Sequence, residues 1–190
     1  MAEEKQMSWY CDVAPGHPFH GPYHDREYGF PVADEAVLFE RLCLEIFQAG
    51  LSWLIVLKKR PAMAAAFDGF EVDKVAAYGE AELERLMNDS GIIRNRRKLA
   101  AIVENARRLQ ALRAREGSFA AWLARHHPLT KDGWVKLFKA TFVFVGGEVV
   151  GEFLMSIGYL PGGHREDCPV QARLRAAGAP CFAVDPAFYA

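Results

Sequence analysis

Apolar residues recur along most of this chain at intervals of three and four, and the strict alternation expected of a half-buried strand is almost absent. The strongest run spans residues 94–115, where Leu99, Ile102, Val103, Ala106, Leu109 and Leu112 share one stripe and predict an amphipathic helix. A second helix is expected from Asp34, whose carboxylate suits a helix start, to about Ala49, with Leu38, Leu42, Glu45 and Ala49 aligned on one face. The turn Gly50-Leu51-Ser52 then leads into a helix carrying Trp53, Ile55, Val56 and Leu57, which stops before Gly69. Further helices are expected over residues 73–78, 80–88, 119–125, 133–141, 148–157 and 170–177. No internal repeat, low-complexity tract or long linker divides the chain, so the expectation is an all-α protein. Residues 1–190 should form a single domain, two small helical lobes sharing a cleft.

Composition narrows the class without naming a function. A chain of 190 residues that is 51% hydrophobic and 25% charged can build a core without disulfide staples. Lys plus Arg number 23 against 24 Asp plus Glu, so no global basic field announces nucleic acid, and such a partner has to be sought in local patches. The first six residues are polar and mixed in charge, unlike a secretory signal. The most apolar stretch, 141–160, is broken by Glu148, Glu152 and glycines, which argues against a membrane span. Four scattered cysteines are too few for a disulfide framework, and a reducing cytoplasm is the expected setting.

Three groups of residues carry candidate chemistry. Cys11 and His24 near the start, with His164-x3-Cys168 near the end, supply the two thiolates and two imidazoles that fill a closed tetrahedral zinc site, although His17, His20, His126 and His127 are competing donors. A site so closed would be structural, tying the chain ends together. Glu45 falls on the apolar stripe of its helix, where a carboxylate must be paired, protonated or facing a wet cavity, and Tyr23, Tyr28 and Trp53 are near in sequence. An acid with flat aromatic walls suits a planar, cationic or hydrogen-bonding ligand such as a nucleobase; an ordinary core glutamate is the competing reading. Eight cations between Arg94 and Arg115, together with Lys58-Lys59-Arg60, stand beside the glycine turns at Gly91 and Gly50 and suggest phosphate contacts, against the plainer reading of a solvated helix face. A further turn at Gly146-Gly147 would also present backbone amides.

Taken together, Cys11, Tyr23-His24-Asp25-x-Glu27, Leu42-Cys43-Leu44-Glu45, Gln48-Ala49-Gly50-Leu51-Ser52-Trp53, Val56-Leu57-Lys58-Lys59-Arg60, Gly91-Ile92-Ile93-Arg94, Phe144-Val145-Gly146 and His164-x3-Cys168 resemble, in order, the 3-methyladenine DNA glycosylase I family of the helix-hairpin-helix superfamily. The resemblance implies a helix-hairpin-helix glycosylase fold whose N- and C-terminal segments are joined by structural Zn2+ on Cys11, His24, His164 and Cys168. It implies a monofunctional, monomeric enzyme that binds double-stranded DNA carrying alkylated bases, flips the damaged nucleotide into a base-binding cleft and hydrolyses the N-glycosidic bond of 3-methyladenine. By matching position, Glu45 is the catalytic residue, with Tyr23 and Glu45 on the adenine edge, Trp53 stacking and Tyr28 a further stacking wall. Leu51 on the Gly50 turn becomes a wedge in the DNA stack, and Val145, Gly146 and Gly147 hold backbone phosphates. Glu166 and Asp167 fall about where other members of the superfamily carry a catalytic aspartate, so either acid is a candidate to stabilise the sugar cation, a solvated loop being the plainer reading. The rival functions are a glycosylase for a different modified base and a non-catalytic binder of damaged DNA.

Overall fold

The computed structural model describes residues 9–189; the polar opening at residues 1–6, on which the reading of a signal-free start rests, lies outside them. The described residues form eleven α-helices and three short 3-10 turns, with no strand among them. None of their helices is long and apolar enough to cross a membrane. The chain opens with α1 (Tyr10–Val13) and α2 (His20–Arg26), then enters α3 (Glu35–Gln48) and α4 (Trp53–Ala66). After α5 (Val72–Ala76) and α6 (Glu80–Asn88) comes the longest helix, α7 (Arg96–Glu116). It is followed by α8 (Phe119–His126), α9 (Lys131–Thr141), α10 (Gly147–Ser156) and α11 (Val170–Ala176).

Local chemistry explains most of these boundaries. The Asp34 carboxylate accepts from the Val37 amide at 2.9 Å and starts α3, and Asn95, Ser118 and Thr130 do the same for α7, α8 and α9. Gly50 ends the α3 segment with φ of +82°, and since a Cβ there would meet open space, the backbone conformation rather than crowding is what calls for glycine. The helices α1 and α2 fall outside the sequence expectation. They are four and seven residues long, too short to show a period, and α2 contains Pro22.

Helix α3 is buried on nearly every side, from Leu38 to Phe47, and packs against α4, α7, α8 and α10. A helix apolar all round belongs at the centre of the core. Its stripe holds Leu38 and Leu42 as expected, and Glu45 with them. Around α8, α9 and α10 an aromatic layer of Phe119, Trp122, Trp134, Phe138, Phe142 and Phe153 fills the interior, with the Phe119 and Phe153 rings stacked at 5.8 Å. A separate small core, Cys11 with Cys168, Val170, Leu174 and Ala179, brings the two ends of the chain together.

The turn before α10 is held from below by Asn105 of α7. Its side chain, fully buried, donates to the Val143 carbonyl at 3.0 Å and accepts from the Val143 amide at 2.8 Å. Replacement by alanine orphans both backbone groups in the interior. Asn105→Ala is expected to lower the unfolding free energy by about 2–3 kcal/mol in a urea titration, and a midpoint equal to that of the wild type would contradict this role.

Candidate functional site

Helix α3 delivers Glu45 to a cavity of about 730 Å3 between α2, α3 and α10, a volume suited to a small organic ligand. The side chain is 5% exposed, and no hydrogen bond reaches its carboxyl group among the described residues. Burial pushes its pKa up to about 8, the negative charge of Glu152 acts in the same direction, and Arg41 opposes both. In the free protein the acid is therefore mostly protonated at neutral pH. Its anionic form is favoured when a cation arrives in the cavity.

The walls are the aromatic residues expected. Tyr23, Tyr28 and Trp53 all line the cavity, with Tyr23 set edge-on to Trp53 at 5.1 Å and tilted against Tyr28 at 5.7 Å. The Tyr23 hydroxyl is buried and has no partner among the described residues, so it is free to bond a ligand. Its ring carries Arg41 4.9 Å above it, and Arg41 donates to Glu27 at 2.8 Å. Glu27 also accepts from Arg60, which is clamped on Glu40 as well, so this motif glutamate positions the cation behind the pocket rather than entering it. His20 and Tyr10 complete the rim, their Nδ1 and hydroxyl 3.2 Å apart.

Sequence reasoning treated Glu152 only as an interruption of an apolar stretch. It lines the same cavity from α10 and accepts a hydrogen bond from the Tyr28 hydroxyl at 3.0 Å. Burial raises its pKa. The available signal was its spacing: Glu148 and Glu152 stand one helical turn apart inside an otherwise apolar segment.

Leu51 is exposed at the tip of the Gly50 turn, at the edge of the cavity that Gly50 lines. At the second turn Gly146 precedes α10 and Gly147 opens it, both with open space where a side chain would stand, while Val145 is buried. Glu148 beside them is ion-paired with Lys131.

Most of the basic run lies on the surface, and several of its cations are bonded within the protein, which favours the plainer reading of a solvated helix face. Lys98 is buried and donates to the carbonyls of Phe47 and Ala49 at 2.8 and 2.6 Å, closing the C-terminus of α3 just before the Leu51 turn. Arg107 and Arg108 donate to backbone carbonyls, and Arg96 and Arg113 pair with acids. Lys59 holds the carbonyls of Ser90 and Gly91, whose own amide is taken by Asp89, so the Gly91 turn is an internally satisfied cap. Arg94, Arg96, Arg97, Arg107, Arg115 and Lys58 are exposed.

Cys11, His24, His164 and Cys168 converge, with one ligand atom from each lying within 4.8 Å of the others, and could hold a metal ion. The Cys168 sulfur stands 3.6 Å from His164 Nδ1 and 3.8 Å from His24 Nε2. The opposite ring nitrogens are engaged, His164 with the Tyr28 carbonyl at 2.8 Å and His24 with Asp25 at 2.7 Å, which fixes the nitrogen each presents. Of the competing donors, His127 meets Tyr189, and His17 accepts from the backbone amides of Phe19 and His20. Asp167 is exposed and paired with Arg165, and it lines, with Glu166, a separate concavity toward the C-terminal tail. Neither acid lines the Glu45 cavity, so the proposed sugar-cation role is withdrawn.

A helical chain with an unpaired acid in an aromatic cavity, tied end to end by four metal-type donors, defines a class of small base-binding proteins, and comparison with known proteins narrows it. The methyladenine glycosylase family model matches residues 13–133. The DNA-3-methyladenine glycosylase of Haemophilus influenzae is 37% identical over 166 residues, which span 77% of this chain and 89% of that one. DNA-3-methyladenine glycosylase 1 of Escherichia coli K12 is 50% identical over 97 residues, 51% of this chain and 52% of that one. Among solved structures, 3-methyladenine DNA glycosylase I from Staphylococcus aureus, described for its recognition of 3-methyladenine, superimposes with a TM-score of 0.76 at 33% identity and covers 85% of this chain and 95% of its own. The chain belongs to the methyladenine glycosylase family.

The raised pKa of Glu45 has a signed consequence for stability. Below about 4.5 the group is protonated folded or unfolded and has no effect; as pH rises toward 8, only the unfolded chain releases the proton, and the native state is progressively disfavoured. Glu45→Gln should therefore unfold like wild type at pH 4 and be more stable by roughly 2–4 kcal/mol at pH 8. Thermal melts at the two pH values, with no growing gap, would contradict the buried, unpaired state.

Proposed function

We propose that this protein excises 3-methyladenine from alkylated DNA by hydrolysing the N-glycosidic bond, with Glu45 and Tyr23 reading the base, Trp53 and Tyr28 walling it, and Leu51 filling the space it leaves. The observation that carries the reading is the buried Glu45, bonded to nothing, facing a cavity walled by aromatic rings in a chain of this family. The relatives named for 3-methyladenine excision support it.

The chemistry follows from the charge. Methylation at N3 makes the purine cationic, so when the C1′–N9 bond breaks its electron pair neutralises the ring, and the base departs as neutral 3-methyladenine. A water adds to the sugar cation at C1′ and gives its proton to solvent, leaving an abasic site. The arriving cation stabilises the carboxylate, so Glu45 gives up its proton to solvent and then accepts from the adenine amino group, and the face of Trp53 adds a cation–π attraction of roughly 0.5–2 kcal/mol. Adenine without the methyl group brings no charge, leaves Glu45 protonated and gains little. No lysine lines the cavity among the described residues, which supports hydrolysis without a Schiff base on the sugar or strand cleavage.

The helices on either side of the cleft are read as two lobes of one domain, with the Leu51 turn and the amides of Val145, Gly146 and Gly147 on the DNA side. The four converging donors match a structural zinc site: ligands about 2.0–2.3 Å from a tetrahedral Zn2+ stand about 3.3–3.8 Å apart, and the sulfur–nitrogen separations of 3.6–3.8 Å agree. Zinc supplies crosslinking there and no chemistry in the pocket.

Incubation with randomly methylated duplex DNA and chromatography of the freed bases is the direct test. Release of 3-methyladenine is expected, and Glu45→Gln should slow it at least tenfold while remaining folded; a variant as fast as wild type would remove Glu45 from the chemistry. A protein that binds such DNA tightly and frees no base would favour the non-catalytic alternative, and release of another base the different-substrate one. Cys168→Ser is expected to lose stoichiometric zinc and melt at lower temperature, and full zinc in that variant would exclude Cys168 as a ligand.

A further inference from the structure

Among the described residues three carboxyl groups line the cavity, Glu45, Glu148 and Glu152; Glu148 is exposed and ion-paired with Lys131, which leaves the half-buried Glu152 as the one that the proposed reaction gives no task and no cation pairs. It stands on α10, which packs along α3, and so meets the space that Glu45 faces. The Tyr28 hydroxyl fixes its Oε2 at 3.0 Å, and Oε1 has no partner among the described residues. Lys131, the cation whose charge reaches it, is bonded to Glu148. No Lys or Arg lines the cavity among the described residues, although the hydroxyl of Tyr23, 2% exposed, stands in its wall without a partner.

Two carboxyl groups in one small, partly desolvated space repel each other when both are ionised, and a neutral ligand does nothing to relieve them. A cation is attracted by both and lets both ionise. The oxygen of Glu152 left free by Tyr28 also adds an acceptor for an amino or ring N–H donor, complementing the donor hydroxyl of Tyr23. We propose that Glu152, held by Tyr28, is a second base-reading carboxylate, and that the Glu45–Glu152 pair makes the cavity select positively charged N-alkylpurines over neutral purines of the same shape. This rests on the cavity being the base pocket.

The test separates charge selection from pocket shape. Two probes are titrated at pH 8 by calorimetry or by quenching of tryptophan fluorescence: 3,9-dimethyladeninium, a permanent cation with a methyl group where the sugar attaches, and neutral 3-methyladenine. Wild type is expected to bind the cation at least tenfold more tightly. Glu152→Gln should reduce that preference about tenfold while changing the Kd of the neutral base less than twofold, and Tyr28→Phe should move it in the same direction by less. An unchanged preference in Glu152→Gln, or an equal loss for both probes, overturns the proposal. If that variant does not fold, Tyr28→Phe decides, and an unchanged preference there overturns it equally. Failure of wild type to release 3-methyladenine from methylated DNA strikes at the base-excision reading; normal release with an unaltered preference in Glu152→Gln strikes at Glu152 alone.

Discussion

A carboxyl group placed inside the protein with no cation bonded to it is the interaction on which the remaining structure depends. Burying such a group costs several kcal/mol if it is charged, so Glu45 keeps its proton and its site stays poised for positive charge. The surroundings preserve that state. Arg41, which would neutralise Glu45 if it reached across, is instead bonded to Glu27 and lies over the ring of Tyr23. The cation is near enough to moderate the acid and is held so that it does not quench it. Glu27, Glu40 and Arg60 serve that end, and they account for motif residues that never enter the cavity.

The second constraint is the joining of the chain ends. Helices α1 and α2 are too short to be stable alone, yet α2 supplies Tyr23 and His20 to the cavity. Cys11, His24, His164 and Cys168 converge where these helices meet the C-terminal segment, and the Tyr28 carbonyl that orients His164 belongs to the residue whose hydroxyl holds Glu152. A donor set outside the reaction thus fixes the geometry of residues that face the ligand. Lys98 does comparable work on the other side, closing α3 next to the Leu51 turn from a position that looked in sequence like part of a DNA-binding face.

Much of the helical framework was legible from period and caps. The segments around α3, α6, α7 and α10 appear within a residue or two of their expected bounds, because amphipathic spacing and the Asp34 cap are local signals. Glu45 was legible for a similar reason: an acid on an apolar stripe is anomalous wherever the stripe is buried. The basic run stayed ambiguous because a count of charges does not say what each cation touches. Most of these arginines and lysines meet carbonyls and carboxylates brought from segments tens of residues away.

The sequence by itself determined the helical class, the positions of the caps and turns, the anomalous acid with its aromatic neighbours, and the types of metal donor, since each is written in nearest-neighbour chemistry. Only the tertiary structure decided that Asp167 belongs to Arg165 and not to the cavity, and that Glu152 stands with Glu45, while it brought together the His24 and His164 that the family resemblance had already paired with the two cysteines. The physical reason is distance along the chain. Residues separated by more than a hundred positions become neighbours only through packing of α3, α10 and the joined termini, and that packing sets both the solvent exposure and the charge state on which the chemistry turns.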